Sequence, residues 1–88
     1  MAAFPPVPGY ELKKFLGSGG AADVFLAVDP RHSRLVAVKV MPRRRYSGTV
    51  AVRRFIKEAE TISRLHHPNI VRIYETGHTA ELRFMAME

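Results

Sequence analysis

A glycine-rich segment between two apolar runs most constrains how this chain can fold. It reads Leu-Gly-Ser-Gly-Gly-Ala-Ala, and one aspartate later the apolar run Val24 to Val28 begins. Valine and phenylalanine favour strand, so the glycines are expected to join two strands. Because glycine lacks a Cβ, backbone N–H groups of such a turn can approach a phosphate closely. The segment therefore predicts a strand hairpin suited to phosphate.

Two common phosphate-binding motifs do not match this order of residues. In a dinucleotide-binding fold the glycine turn opens a helix, whereas here a strand-like run follows it. A P-loop needs Gly-Lys followed by Ser or Thr, and no glycine of this chain precedes a lysine. The mobile positive charge must come from elsewhere, and Lys39 closes the next apolar run.

Composition narrows the class of protein. Eighty-eight residues, 47% hydrophobic and 25% charged, suit one globular domain with a small core. The net charge of +6 suits an anionic ligand or partner, either a nucleotide or a nucleic acid. The absence of cysteine excludes disulfides, cysteine zinc sites and thiol nucleophiles. With no signal peptide and no apolar run of about 20 residues, we expect a cytoplasmic chain without a membrane segment.

Apolar periodicity predicts five strands and one helix. Apolar residues recur at spacings of three and four between Val52 and Leu65, including Phe55 and Ile56, which marks one helix face. Ser47 and Thr49 are alternative N-caps for this helix. The predicted elements are strands Tyr10–Leu16, Asp23–Val28, Arg34–Met41, Ile70–Glu75 and Leu82–Met87, with a helix over Thr49–Leu65.

Three local expectations accompany this assignment. Residues 1–9 contain three prolines, which predicts an extended and poorly ordered leader. The apolar run Leu35 to Val38 predicts a strand buried on both faces. A turn is expected from Thr76 and Gly77 to Ala80, so that His78 lies in it.

At this point the sequence resembles the protein kinase family. That family carries G-x-G-x-x-G-x-V followed by V-A-I-K. Gly17, Gly19 and Val24 match the first motif, with Ala22 in place of its third glycine, and Val-Ala-Val-Lys ending at Lys39 matches the second. The glycine segment and Leu-His-His-Pro-Asn-Ile-Val are most similar to bacterial serine/threonine kinases.

The resemblance implies an α+β fold. The expected fold is that of the N-terminal, ATP-binding lobe of a kinase, a five-stranded antiparallel sheet with one helix between strands 3 and 4. The resemblance covers residues 10–88, after the leader at residues 1–9, and stops at the start of the hinge, so that the C-terminal lobe is absent. His66 and His67, which could suggest a metal site, fall in a segment that the resemblance assigns to structure.

The resemblance also implies the site residues. Lys39 would contact the α- and β-phosphates of ATP and pair with a helix carboxylate, for which Glu58 and Glu60 compete on faces about 200° apart. Glu58 adjoins the apolar stripe and matches the family position, so Lys39 and Glu58 are the catalytic candidates, and Glu60 is expected to be a surface charge. The residues expected to bind ATP are Leu16, Gly17, Ser18, Gly19, Gly20, Ala21, Val24, Ala37, Lys39, Met87 and Glu88.

Several kinase motifs do not occur in this sequence. H-R-D, D-F-G and A-P-E are absent, and with them the catalytic base and the Mg²⁺ ligands. Mg²⁺ is therefore expected only through the missing C-terminal lobe, and the 88-residue chain alone is expected to be inactive. Its partners would be ATP and, in the complete kinase, a protein substrate. The alternatives are a free-standing regulatory module and, from Arg43 to Arg45 and the net charge, a nucleic-acid-binding protein, although no nucleic acid is expected.

Overall fold

The described residues form one antiparallel sheet with a short helical segment. The computed structural model describes residues 4–19, 22–42, 53–57 and 72–88. The strands are β1 (Glu11–Gly19), β2 (Ala22–Asp29), β3 (Arg34–Pro42), β4 (Ile73–His78) and β5 (Leu82–Met87), and residues 53–57 form the helix α1. Every neighbouring pair is antiparallel, in the order β1-β2-β3-β5-β4. The predicted α+β fold, five antiparallel strands with a helix between the third and fourth, is confirmed.

Strand β3 lies in the middle of the sheet and divides its residues between two faces. Val36, Val38 and Val40 are buried on one side, which we call the back face. Lys39 and its alternate neighbours point to the opposite side, the front face, because side chains alternate along a strand. The expectation that β3 is buried on both faces from Leu35 is wrong, since Leu35 is 65% exposed. The run is apolar throughout because Leu35 and Ala37, which lie on the front face, are apolar as well. The front face is open at Leu35.

The back face is covered by the N-terminal leader. Val7 is 5% exposed, and Tyr10 is also buried, in one cluster with Phe25, Val38 and Phe84. Tyr10 N donates to the Val7 carbonyl at 3.2 Å. The prolines predicted a poorly ordered leader, but from residue 4 onward the structure holds it against the sheet, because Val7 and Tyr10 supply apolar side chains to the core.

A second, smaller core lies on the front face. Ala22, Met41 and Met85 contact Phe55 from helix α1, as the apolar stripe predicts. Ile56, assigned to the same stripe, is exposed. The rest of the predicted helix, including both candidate N-caps, lies outside the described residues. Within the described ranges, no helix has the length and apolarity needed to span a membrane.

Strand β4 is longer at its C-terminal end than predicted. Thr76, Gly77 and His78 pair with β5, so the expected turn begins later, at Thr79. There Thr79 Oγ1 accepts hydrogen bonds from Glu81 N at 3.1 Å and from the next backbone N–H at 3.3 Å. Gly77 is needed for packing and not for a turn, because a Cβ built on it would lie 2.5 Å from Phe84 Cζ.

A polar network connects the leader, the β2–β3 turn and strand β4. Tyr10 donates through its hydroxyl to Glu75 at 2.7 Å, and Arg31 contacts the same carboxylate oxygen at 3.1 Å. Asp29 is 1% exposed and accepts from Arg31 N at 3.1 Å, while His32 Nδ1 lies 2.7 Å from its other oxygen. Burial by itself raises the pKa of Asp29, but His32 and the Arg31 N–H together hold it below its usual range. Asp29 is therefore a buried carboxylate stabilised by its hydrogen bonds.

Replacing Gly77 by alanine should destabilise the sheet. The added methyl group would overlap the Phe84 ring, which is buried and has little room to move, so we expect a loss of about 1–3 kcal/mol in the free energy of unfolding. Gly17→Ala is the matched control, because a Cβ at Gly17 meets no atom within 4 Å. Urea unfolding of both variants measures the effect, and equal stabilities would contradict the packing argument.

Tyr10 should make the chain sensitive to alkaline pH. Burial, followed by the hydrogen bond to Glu75, raises the pKa of Tyr10 from 10.0 to about 12. The stabilisation from neutral Tyr10 is therefore complete below pH 10 and is lost as the pH rises toward 12. We expect Tyr10→Phe to be about 1–3 kcal/mol less stable than the parent at pH 8 and to approach it between pH 10 and 12. Unfolding free energies measured across this range test the prediction, and a constant difference would refute it.

Candidate functional site

The glycine-rich segment forms the end of the β1–β2 hairpin. Gly17 pairs with Val24, Ser18 with Asp23 and Gly19 with Ala22. We call the residues 15–19 and 22–25 the glycine hairpin. Its tip, Gly20 and Ala21, lies outside the described residues, and their predicted role stays a prediction. The sequence was right to place strands on both sides of the glycines.

The strand register places Lys39 in a row across four strands. Gly17 pairs with Val24, Val24 with Lys39, and Lys39 with Met85. Directly opposite residues of an antiparallel sheet have Cβ atoms about 4.5–5.5 Å apart. The glycine hairpin and the lysine therefore meet on the front face, as the two sequence motifs together predicted.

A second row lies two residues further along the same face. Ala37 pairs with Leu26 on one side and with Met87 on the other. At about 3.3 Å per residue, this apolar row is roughly 7 Å from the row of Lys39. Ala37 and Met87 were predicted site residues, whereas Leu26 was missed. Its position two residues after Val24, hence on the same face, was the signal that could have found it.

The β1 strand is irregular at the point where the site begins. The register shifts between Phe15 and Gly17, so Leu16 is the extra residue of a bulge and is about half exposed. Ser18, one pair further on, is exposed. Both predicted residues thus lie at the hairpin. The structure does not bring Leu16 into either row.

The backbone at Gly17 is ordinary strand. Among the described glycines, only Gly9 has a positive φ, at 83°. Gly17 therefore does not use the backbone conformations that glycine alone adopts readily. What its missing Cβ does leave is open space, because a Cβ built there has no neighbouring atom within 4 Å. Gly17 allows a close approach to its backbone from outside the chain.

Glu88, the last residue predicted to bind ATP, forms one backbone hydrogen bond within the chain. Its N–H donates to the carbonyl of Arg72 at 2.9 Å. The carbonyl oxygen of Glu88 is therefore the backbone group that it could offer to a ligand. Glu58, the predicted partner of Lys39, lies outside the described residues. In the part of the chain that the structure covers, no group of three or more His, Asp or Glu could hold a metal ion.

Comparison with known proteins finds protein kinases, both as a family and as individual relatives. The protein kinase domain family matches residues 10–88. Serine/threonine-protein kinase PrkC of Bacillus subtilis is 38% identical over 79 residues, which are 90% of this chain and 12% of that protein. Probable serine/threonine-protein kinase PknB of Bifidobacterium longum is 40% identical over 68 residues, 77% of this chain and 10% of that protein. CBL-interacting serine/threonine-protein kinase 7 of Arabidopsis thaliana is 39% identical over 80 residues, 90% of this chain and 19% of that protein.

The three matches cover between 77% and 90% of this chain but only a small part of each relative. The chain spans between 10% and 19% of the length of the three relatives above. The two rows of the candidate site lie within the matched range, since all of their residues fall between 10 and 88.

Proposed function

Because the chain belongs to the protein kinase domain family, we propose that it forms the ATP-binding lobe of a serine/threonine protein kinase. The observation that carries the proposal is the strand register. It sets the glycine hairpin and Lys39 in one row and the apolar residues Ala37 and Met87 in the next row of the same face. A nucleotide needs such a pair of neighbouring regions, one for its phosphates and one for its base.

The phosphates would bind at the first row. Backbone N–H groups of the glycine hairpin can donate to phosphate oxygens, and the open space at Gly17 allows the approach. Ser18, Gly19, Gly20 and Ala21 would complete this backbone surface. Lys39 would supply a positive charge to the α- and β-phosphates from the neighbouring strand.

The adenine would bind at the second row. Ala37 and Met87 would contact its faces together with Val24 of the adjacent row, since apolar side chains line most base pockets. Leu16, at the bulge outside both rows, stays a predicted contact. The 6-amino group of adenine is a hydrogen-bond donor, and the Glu88 carbonyl is an acceptor not used by the Arg72 contact. The polar edge of the base therefore has a complementary group at the end of β5.

The chemistry would be phosphoryl transfer from ATP to a serine or threonine hydroxyl of a protein substrate. Bound Mg²⁺ supplies positive charge to the phosphates in this reaction. In this chain, Lys39 would orient the α- and β-phosphates and stabilise their charge, and Glu58 would orient Lys39. The catalytic base and the metal ligands would come from a C-terminal lobe, so transfer requires the complete kinase.

Lys39→Met should weaken ATP binding by the 88-residue chain. Methionine keeps the length and apolar packing of lysine but cannot donate a charge-assisted hydrogen bond, a loss of about 1.5–3 kcal/mol, or about tenfold to hundredfold in affinity. Lys13→Met is the matched control, because it removes the same charge from an exposed lysine whose contact is the surface pair with Glu11. Titration with a fluorescent ATP analogue measures both variants.

Three outcomes, two from that titration and one from a competition experiment with RNA, would contradict the proposal. Equal affinities of the two variants would show that Lys39 does not hold the phosphates. Failure of the parent chain to bind ATP would remove the nucleotide site itself. Competition by single-stranded RNA, with affinity falling steeply as salt rises, would favour the nucleic-acid-binding alternative.

Glu58→Gln should lower turnover strongly in a kinase that contains this lobe. The amide keeps the shape of the side chain but loses the charge that would orient Lys39. Glu60→Gln is the matched control, since a change at an exposed charge is usually worth within about ±0.5 kcal/mol. Turnover is measured for both at saturating ATP. A larger loss from Glu60→Gln would show that the helix presents its other face to Lys39.

A further inference from the structure

Three phenylalanine rings pack together on the back face of the glycine hairpin. The ring centroid of Phe4, from the leader, lies 5.1 Å from that of Phe25, and the ring centroid of Phe15 lies 5.6 Å from that of Phe25. The interplanar angles of 60° and 67° are those of tilted and edge-on aromatic pairs. Phe25 is 4% exposed, so the two outer rings cover it. We call these three residues the ring stack.

The ring stack lies directly behind the residues proposed to bind phosphate. Phe25 belongs to strand β2, where the adjacent residue Val24 points to the front face and pairs with both Gly17 and Lys39. Phe15 pairs with Phe25 and precedes the bulge that leads to Gly17. A shift of the ring stack would therefore move the phosphate-facing backbone on the opposite side of the same two strands.

Among the described residues, strand β1, which forms one half of the glycine hairpin, has few other supports. Strand β1 is the edge strand of the sheet and pairs with β2 alone. Its ladder has two register shifts, one between Leu12 and Lys14 and one between Phe15 and Gly17. An edge strand with interrupted pairing has a low local stability and opens more easily than the central strands. A contact that covers its back face thus has a large effect on its position.

The leader that carries Phe4 is anchored to the back-face core at Val7. Val7 is buried in the back-face core and pairs with Tyr10 in an isolated bridge, across a turn that Gly9 closes with a φ of 83°. Tyr10 is itself fixed to β4 through its hydrogen bond to Glu75. Phe4 is therefore only three residues from an anchored position, although its own side chain is 43% exposed.

We propose that Phe4 is a positioning residue that clamps the glycine hairpin from the back face and thereby sets its affinity for ATP. Phe4 touches no ligand in this arrangement. It acts through Phe25 and Phe15, which fix the two strands that carry Gly17 and Val24. This inference rests on the proposed function, because it assigns the clamped backbone to the nucleotide phosphates.

The test uses the 88-residue chain with Phe4→Ala and Phe4→Leu. Hydrogen exchange is followed at the backbone amides of the glycine hairpin and at those of the paired strands β3 and β5, and ATP affinity is measured by titration. Ile56→Ala is the matched control, because Ile56 is an exposed apolar side chain of similar exposure to Phe4 and lies outside both the ring stack and the two rows of the site. Phe4→Leu keeps most of the apolar area and covers the case in which alanine unfolds the chain.

Phe4→Ala should speed exchange in the glycine hairpin by about threefold to tenfold, the range expected for the loss of one aromatic pair. Exchange in β3 and β5 should stay unchanged, ATP affinity should fall by a similar factor, and Phe4→Leu should lie between parent and alanine. Ile56→Ala should change neither quantity. Unchanged exchange in the hairpin, or an equal increase in β3 and β5, would overturn the proposal. If the parent chain binds no ATP, the proposed function fails, and the exchange pattern still decides whether Phe4 clamps the hairpin.

Discussion

The alternation of side chains along β3 is the constraint on which the rest of the structure depends. β3 is the central strand, paired with β2 on one side and β5 on the other. Val36, Val38 and Val40 turn to the back-face core, so Lys39 must turn to the front. A slip of one residue would exchange the two faces and bury the lysine among the valines. The core thus fixes the register, and the register in turn places Lys39 opposite Val24.

The two faces of the sheet are completed by different parts of the chain. The leader closes the back face through Val7 and Tyr10, while helix α1 contributes Phe55 to the front face. Ala37 lies on the part of the front face between these helix contacts and the β2–β3 turn, where Leu35 is largely exposed. In the described part of the chain the leader packs on the back face and the helix covers only part of the front face, which leaves a front-face surface open to a ligand. That surface carries both the lysine and the apolar row.

The sequence predicted the sheet and the place of Lys39 next to the glycine segment because both depend on local patterns, while the roles of the site residues stay predictions. Alternation gave the strands, and two motifs brought Gly17 and Lys39 together; the resemblance to bacterial serine/threonine kinases is confirmed by the relatives. Two wrong predictions concern Gly77 and the leader, whose roles depend on contacts that local sequence patterns do not show. Gly77 looks like a turn glycine until Phe84 is placed across from it. The order of the leader, likewise, comes from side chains that fit a core built by later strands, which a proline count cannot show.

The contrast between Gly17 and Gly77 connects packing with function. Both glycines lie in paired strands, and neither has a positive φ. At Gly77 the chain itself forbids a side chain, because the Phe84 ring occupies the place of the Cβ. At Gly17 neither the backbone conformation nor any atom within 4 Å requires glycine. A ligand that approaches the strand from outside, as proposed above, would supply a physical reason for glycine at this position. Gly17 pairs with Val24, and Val24 pairs with Lys39. The proposed phosphate would lie at this row.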